Sequence, residues 1–240
     1  MQLPKKINPD RIKNAILDIR YKSNTPFEIL IGVFYQAIKD NFKYINPPIQ
    51  KIGSSEGNND LSISVGRQNL FYNDFLKIQI QPNSIVFNCN NSYSGWEKYL
   101  SDVNYVLKQI FETKFISEYN RIGIRYVSEY PDIDLRGCVN FKFEFGMPNV
   151  VSSNYQFRSE FEYSNKRIIL NLKNNLPLVN NKDSVYKNVS YIDIDVIKEN
   201  VQITSLEALL SEIEENHTVE KEIFFTILKE DFLKILNPIY

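Results

Sequence analysis

Short stretches of this chain alternate apolar and polar residues, and three longer stretches repeat apolar residues at helical spacing. From Ala15 to Tyr21, Ala15, Leu17, Ile19 and Tyr21 face one way and Asp18 and Arg20 the other, which is the pattern of a half-buried strand. From about Thr25 to Phe42, Phe27, Leu30, Ile31, Phe34, Ile38 and Phe42 form one stripe, which predicts a helix. Pro26 falls at its first position, where a missing N–H costs nothing. Leu61–Arg67, Phe75–Gln81 and Ser84–Asn90 are predicted strands, with a tight turn at Pro82-Asn83. A second helix is predicted from about Ser94 to Phe115, on a stripe of Trp96, Leu100, Val103, Leu107 and Ile110. A long strand follows at Arg121–Tyr130.

The second part of the chain repeats this grammar. Val139–Phe145, Tyr155–Tyr163, Arg167–Leu172 and Tyr186–Val196 alternate as strands. Ser164-Asn165 turns the chain, and the polar run from Asn174 to Asp183 is predicted to be a loop. A third helix is predicted from about Thr204 to Leu236, unusually long for a globular protein.

The three helices share an opening. Thr25-Pro26-Phe27-Glu28, Ser94-Gly95-Trp96-Glu97 and Thr204-Ser205-Leu206-Glu207 all fit a capping box, in which hydroxyl and carboxylate satisfy each other's backbone N–H. The second and third helices also share K-x-I-F-x-T, at Lys108–Thr113 and Lys221–Thr226. Each follows a block of strands, so a duplicated strand–strand–strand–helix unit is expected. The predicted fold is α+β, with two pseudo-symmetric halves, each an antiparallel sheet packed by a long helix. The halves are 1–130 and 131–240; no Pro/Ser-rich linker divides them, so one continuous body is expected.

Composition narrows the class. The 16 Phe and 15 Tyr fit a sheet-rich core. With 28 basic and 29 acidic residues the net charge is −1, which argues against broad nucleic-acid binding. Cys89 and Cys138 have no metal-ligand spacing, and one histidine cannot complete a zinc site, so no cofactor is predicted and both thiols are read as reduced. No apolar run reaches the length of a membrane span, and Met1–Lys6 lacks a signal-peptide core, which places the expected chain in the cytoplasm. The wealth of Asn, Lys, Ile and Tyr resembles the bias of an AT-rich bacterial genome, so a bacterial source is expected.

Phosphate-loop, dinucleotide, serine-hydrolase and zinc-protease motifs are absent. Three groups of residues remain. Arg121, Gly123 and Arg125 share a strand face, and with Arg158 they are candidate anion anchors, since guanidinium suits carboxylate or phosphate. Gly123 between them allows close approach of a ligand. The bland alternative is cross-strand ion pairing. Asp193 and Asp195 project from one face and are a weak candidate for a divalent ion without a third ligand in sight; a wet strand face looks the same. His217 lies on the apolar stripe of the third helix, either as a base or pH-sensitive contact or as a core-edge side chain bonded to a strand carbonyl. Phe225 lies off that stripe, about 100° from Phe224. With two apolar sections in one helix, His217 and Phe225 are candidate interface residues of a homodimer.

Arg121-Ile122-Gly123-Ile124-Arg125-Tyr126-Val127 resembles the R-[IL]-G-[IL]-R-Y-[IV]-N core of a sporadically distributed bacterial family of about this length. Leu3–Tyr21, Asp193-Ile194-Asp195, and His217 followed by Phe224 or Phe225 also look like that family; Ser128 stands where Asn is usual. The resemblance implies no particular activity. The patchy distribution implies mobile, defence or toxin–antitoxin neighbourhoods.

The function expected from the residues is non-enzymatic binding in a bacterial cytosol, with a protein partner: a second copy or the product of a neighbouring gene. The alternative is an enzyme or sensor for a small anionic ligand such as a nucleotide, held by Arg121 and Arg125 with Asp193 and Asp195 on a divalent ion.

Overall fold

Alternation at Ala15–Tyr21 and Arg121–Tyr130 builds the two central strands of the molecule, which pair with each other. The computed structural model describes residues 3–45, 69–141, 154–179 and 186–240. In chain order these form β1 (Lys6–Ile7), β2 (Ile12–Lys22), α1 (Phe27–Ile38), β3 (Lys43–Ile45), β4 (Asn69–Tyr72), β5 (Leu76–Gln81), β6 (Ser84–Cys89), α2 (Trp96–Glu112) and β7 (Glu118–Pro131). A single turn of 3₁₀ helix at Leu135–Gly137 follows, then β8 (Tyr155–Tyr163), β9 (Lys166–Val179), β10 (Tyr186–Ile203), α3 (Leu206–Ile227), α4 (Glu230–Ile235) and β11 (Pro238–Ile239). The protein is α+β. No helix among the described residues is long and apolar enough to cross a membrane.

Among the described residues, one antiparallel sheet of nine strands stands in place of the two expected sheets, in the order β3-β4-β5-β6-β2-β7-β10-β9-β8. The joint is the β2–β7 pair, with Leu17 opposite Ile124 and Ile19 opposite Ile122. β7 is paired on both edges, so the two sets of strands cannot close separately. Outward from this joint, one side runs β6, β5, β4 and the other β10, β9, β8, each an antiparallel meander followed in sequence by a helix. β1 and β11 make a separate two-stranded ribbon that ties the two ends of the chain together.

The helices lie over the apolar side of the sheet. Leu30, Phe34 and Ile38 of α1 and Val103, Leu107 and Ile110 of α2 pack with Ala15, Leu17, Ile19, Ile78 and Phe87. α3 reaches this first cluster with Leu209 and Ile213, then a second with Val219, Ile223 and Phe224, joined there by Leu228, Phe232 and Leu236. The two apolar sections of the predicted long helix therefore serve two parts of one sheet.

That helix also stops early. Leu228 is extended and bridges Val139, so the expected Thr204–Leu236 helix divides into α3 and α4. The Asn140 side chain caps the break by donating to the Thr226 and Leu228 carbonyls. Val139 makes only this bridge, and the rest of the strand expected through Phe145 lies outside the described residues from Lys142 on. The strand expected at Leu61–Arg67 lies outside them as well.

The capping boxes take other forms. α1 opens at Pro26 and α2 at Gly95, neither with a side-chain cap; only α3 is capped, by the Ser205 hydroxyl accepting from Ala208 N–H, one residue later than expected. Gly95 has φ of 94°, a conformation that a side chain strongly disfavours. The expected Asn174–Asp183 loop is strand as far as Val179, and its remainder lies outside the described residues. Asn174 sits there fully buried, accepting from Leu135 N–H and donating to Asp134. Pairing in place of solvent satisfies these polar groups, which is why their composition misleads.

Candidate ligand-binding cleft

Where α3 passes from one cluster to the other, its buried stripe turns polar: Asn216, His217 and Glu220 are all buried there, in register with Ile213 before them and Ile223 after. Asn216 donates to the Ile122 carbonyl of β7 at 3.1 Å and fixes the helix on the sheet. This is the strand-carbonyl bond expected of His217, and it belongs to the neighbouring residue instead.

His217 stacks on Trp96, the first residue of α2, with ring centres 3.8 Å apart and planes 15° apart. The indole N–H donates to Glu214 at 2.9 Å, which holds the Trp against α3. The Nδ1 atom of His217 lies 3.3 Å from the Tyr126 hydroxyl, itself 3.3 Å from that of Tyr93. Burial drives the imidazole down to about 3, with Lys221 adding to the effect, so the ring is neutral at any physiological pH. Burial pushes the Tyr126 hydroxyl well above its ordinary range.

Glu220 is 6% exposed, and among the described residues it has no hydrogen-bond or ion-pair partner. Burial lifts its carboxyl to about 8, opposed by Lys221, so it is mostly protonated at neutral pH.

These side chains line a cleft of about 490 Å³ between α2, α3, β7 and the segment around β1. Tyr126 and Ser128 contribute its floor, Trp96 and Phe224 its apolar walls, and His217 and Glu220 its buried polar groups. Its size is that of an ordinary small-molecule pocket, roughly 300–1,000 Å³. Lys5, Lys6, Lys98 and Lys221 also line it, against the carboxyls of Asp10, Glu97 and Glu220.

Phe225, half-buried, lines this cleft too and meets Phe224 edge to face at 5.1 Å. The structure therefore brings the two predicted interface residues, His217 and Phe225, to one place.

Two of the predicted anion anchors, Arg121 and Arg125, lie on the opposite side of β7. Arg121 pairs with Asp18 and lies 3.6 Å from Glu199. Its guanidinium sits over Gly123, 3.5 Å from where a Cβ would be, and occupies the approach expected for a ligand. Arg125 grips Asp193 with two bonds of 2.7 Å, and Asn171 donates a third at 3.2 Å. Arg158, exposed on the edge strand β8, lies 3.5 Å from Glu160 and is not gathered with the other two. Asp195 faces Arg125 across the β7–β10 pair without a hydrogen bond. Burial raises its carboxyl to about 6 against the pull of Arg121 and Arg125. Among the described residues, no group of three or more His, Cys, Asp or Glu is placed to hold a metal ion. A polar depression of about 430 Å³ beyond Arg121 is lined by Arg20, Asn120, Glu199 and others.

Glu220, Trp96, Tyr126 and Ser128 were missed as site residues by sequence reasoning. Glu220 carried a signal: it lies three residues after His217 and three before Ile223, a carboxyl on an apolar stripe. Trp96 and Tyr126 look like any core aromatic in sequence. No protein-family model matches the chain, and no curated protein matches it.

Proposed function

We propose that the chain is a non-enzymatic binding protein whose ligand is a small organic molecule held in the cleft between α2, α3 and β7. One observation carries this: a buried carboxyl without a partner, Glu220, opens into a cavity of about 490 Å³ walled by aromatic rings. A perturbed carboxyl in a cleft is a common mark of a functional site. Binding is preferred to catalysis because His217 is stacked, bonded and neutral, and among the described residues Glu220 has no hydrogen-bond partner. Bacterial origin, a cytosolic setting, and a partner protein from a mobile defence or toxin–antitoxin neighbourhood remain part of the proposal, on composition and the family resemblance. So does a homodimer through the Phe225 rim of the cleft. The two meanders flanking β2–β7 support the duplicated origin proposed for the halves.

The phosphate reading through Arg121 and Arg125 is less favoured, because both guanidiniums would have to leave carboxylates that they already bind.

Trp96 is the only tryptophan, so its fluorescence reports the cleft directly. A metabolite collection, scored by Trp96 emission and thermal shift together, is expected to yield ligands that change both. A collection that shifts melting without touching Trp96 emission, or does neither, overturns the cleft reading.

A further inference from the structure

Within that reading, the chemistry of the cleft walls narrows the ligand. We propose that the cleft takes a flat heteroaromatic molecule bearing one anionic group, with the ring between the aromatic walls and its hydrogen-bonding edge toward Glu220. The anion would lie at the first turn of α2. The inference rests on the cleft being the binding site.

The ring end follows from the walls. Trp96, with one face already on His217, lines this end with Tyr126 and Phe224, and the buried polar groups beside these rings, the Tyr126 hydroxyl, His217 and Glu220, are neutral. Glu220 as a carboxylic acid both donates and accepts, which matches an amide-like or ring-nitrogen edge. A cation would instead require Glu220 ionised, beside four lysines that repel it.

The anion end follows from α2. Its N-cap, Gly95, has no side chain to cap the helix. The first backbone bond into the helix is Tyr99 N–H to the Gly95 carbonyl. The N–H groups of Trp96, Glu97 and Lys98 are therefore without an intrahelical acceptor at the cleft wall. Over a helix of 17 residues these groups and the dipole favour an anion. Glu97 is exposed and opposes it; Lys5, Lys6, Lys98 and Lys221 support it, although Lys98 also pairs with Asp102. The buried, unpartnered carboxyl of Glu220 is the independent sign that something enters from solvent.

A carboxylate or a phosphate would satisfy this arrangement, and the test separates them. Trp96 emission is titrated with adenosine, adenosine monophosphate, indole-3-acetate, inorganic phosphate and tyramine. Ring-bearing anions are expected to bind at least about tenfold more tightly than adenosine, with phosphate alone silent. The nucleotide and the indole acid show which anion is preferred. Glu220→Gln, which keeps a neutral donor–acceptor pair, is expected to hold the better ligand within about threefold; Glu220→Leu is expected to lose about tenfold.

Affinity for wild type should fall as pH rises through about 8, and stay flat in Glu220→Gln. The other charged groups facing the carboxyl, Asp10, Glu97 and the four lysines, are common to both proteins. Circular dichroism confirms that each variant is folded.

Tighter binding of tyramine than of the anions overturns this inference and leaves the cleft reading standing. So does loss of anion binding in a folded Glu220→Gln protein. Silence from these five compounds, with other library members changing Trp96, overturns the ligand class alone. Silence from every compound overturns both.

Discussion

Successive residues of β7 look to opposite sides of the sheet, and the two sides treat polar groups in opposite ways. On one side Arg121 and Arg125 are ionised and answered by Asp18, Glu199 and Asp193, and the charge of both also acts on Asp195, which makes no hydrogen bond among the described residues. On the other, Tyr126 faces His217 and Glu220, which burial keeps neutral, and Glu220 has no partner. The difference teaches where to look for function. Groups that satisfy one another make a sheet cohere; a buried group left unanswered at the wall of a cleft implies something that comes and goes. High charge density on a strand face is the louder signal in sequence and the quieter one in structure.

The largest expected effect separates the two sides through pH. Glu220 binds a proton in the folded protein up to about pH 8, whereas the unfolded chain releases it near the ordinary value of 4.5. Between those values the folded state holds more protons, so stability falls as pH rises across that window. Glu220→Gln removes the fall. At pH 5 its melting temperature should match wild type; at pH 9 it should be higher, by about 2–4 kcal/mol of stability. That corresponds to about 4–16 °C for a chain of this size. A variant no more stable than wild type at pH 9 would mean that burial does not hold the proton on Glu220, and the contrast with the arginine side would collapse.

On that arginine side the expected effect is smaller. Asp193 has a side chain only 7% exposed beneath Arg125, so Arg125→Met strands a carboxylate. The loss should be about 1.5–3 kcal/mol, the range for hydrogen bonds to a charged group. Adding Asp193→Leu should recover most of it, because an apolar pair replaces the ion pair. Urea melts of the two singles and the double form a cycle; a coupling near zero would remove the claim that this face is held together by its own charges.

The sequence already showed most of the strands, because alternation over β2, β7 and β10 has one face to bury. It did not show that β2 and β7 pair with each other, since antiparallel pairing is a long-range choice that neither strand's pattern specifies. The break after Ile227 was hidden because Leu228, Phe232 and Leu236 continue a helical stripe. Cys138, Val139 and Asn140, far off in sequence, hold the break against a continuous helix. At the cleft, His217 was visible as the one histidine. Glu220 was readable as a carboxyl on a buried stripe, but its isolation depends on what the facing elements lack, which no local pattern records.

The smallest expected effect concerns the stack of His217 on Trp96. In the folded state the imidazole stays neutral down to about pH 3, while an unfolded chain protonates it near the ordinary value of 6.5. Below that value the unfolded state holds the extra proton, so this group takes stability away as pH falls toward 3, the reverse of Glu220. A protonated imidazole 3.8 Å from the indole would quench it strongly. Between pH 7 and 5, then, Trp96 emission of the folded protein should stay flat, since neither ring changes charge and Glu220 is already mostly protonated. Above pH 7 a change is expected as Glu220 ionises, and it should vanish in Glu220→Gln while the flat region persists. A step in emission centred near pH 6.5 in folded protein would show that water reaches His217. The cleft side of β7 would then be as wet as the arginine side, and the distinction between them would reduce to composition alone.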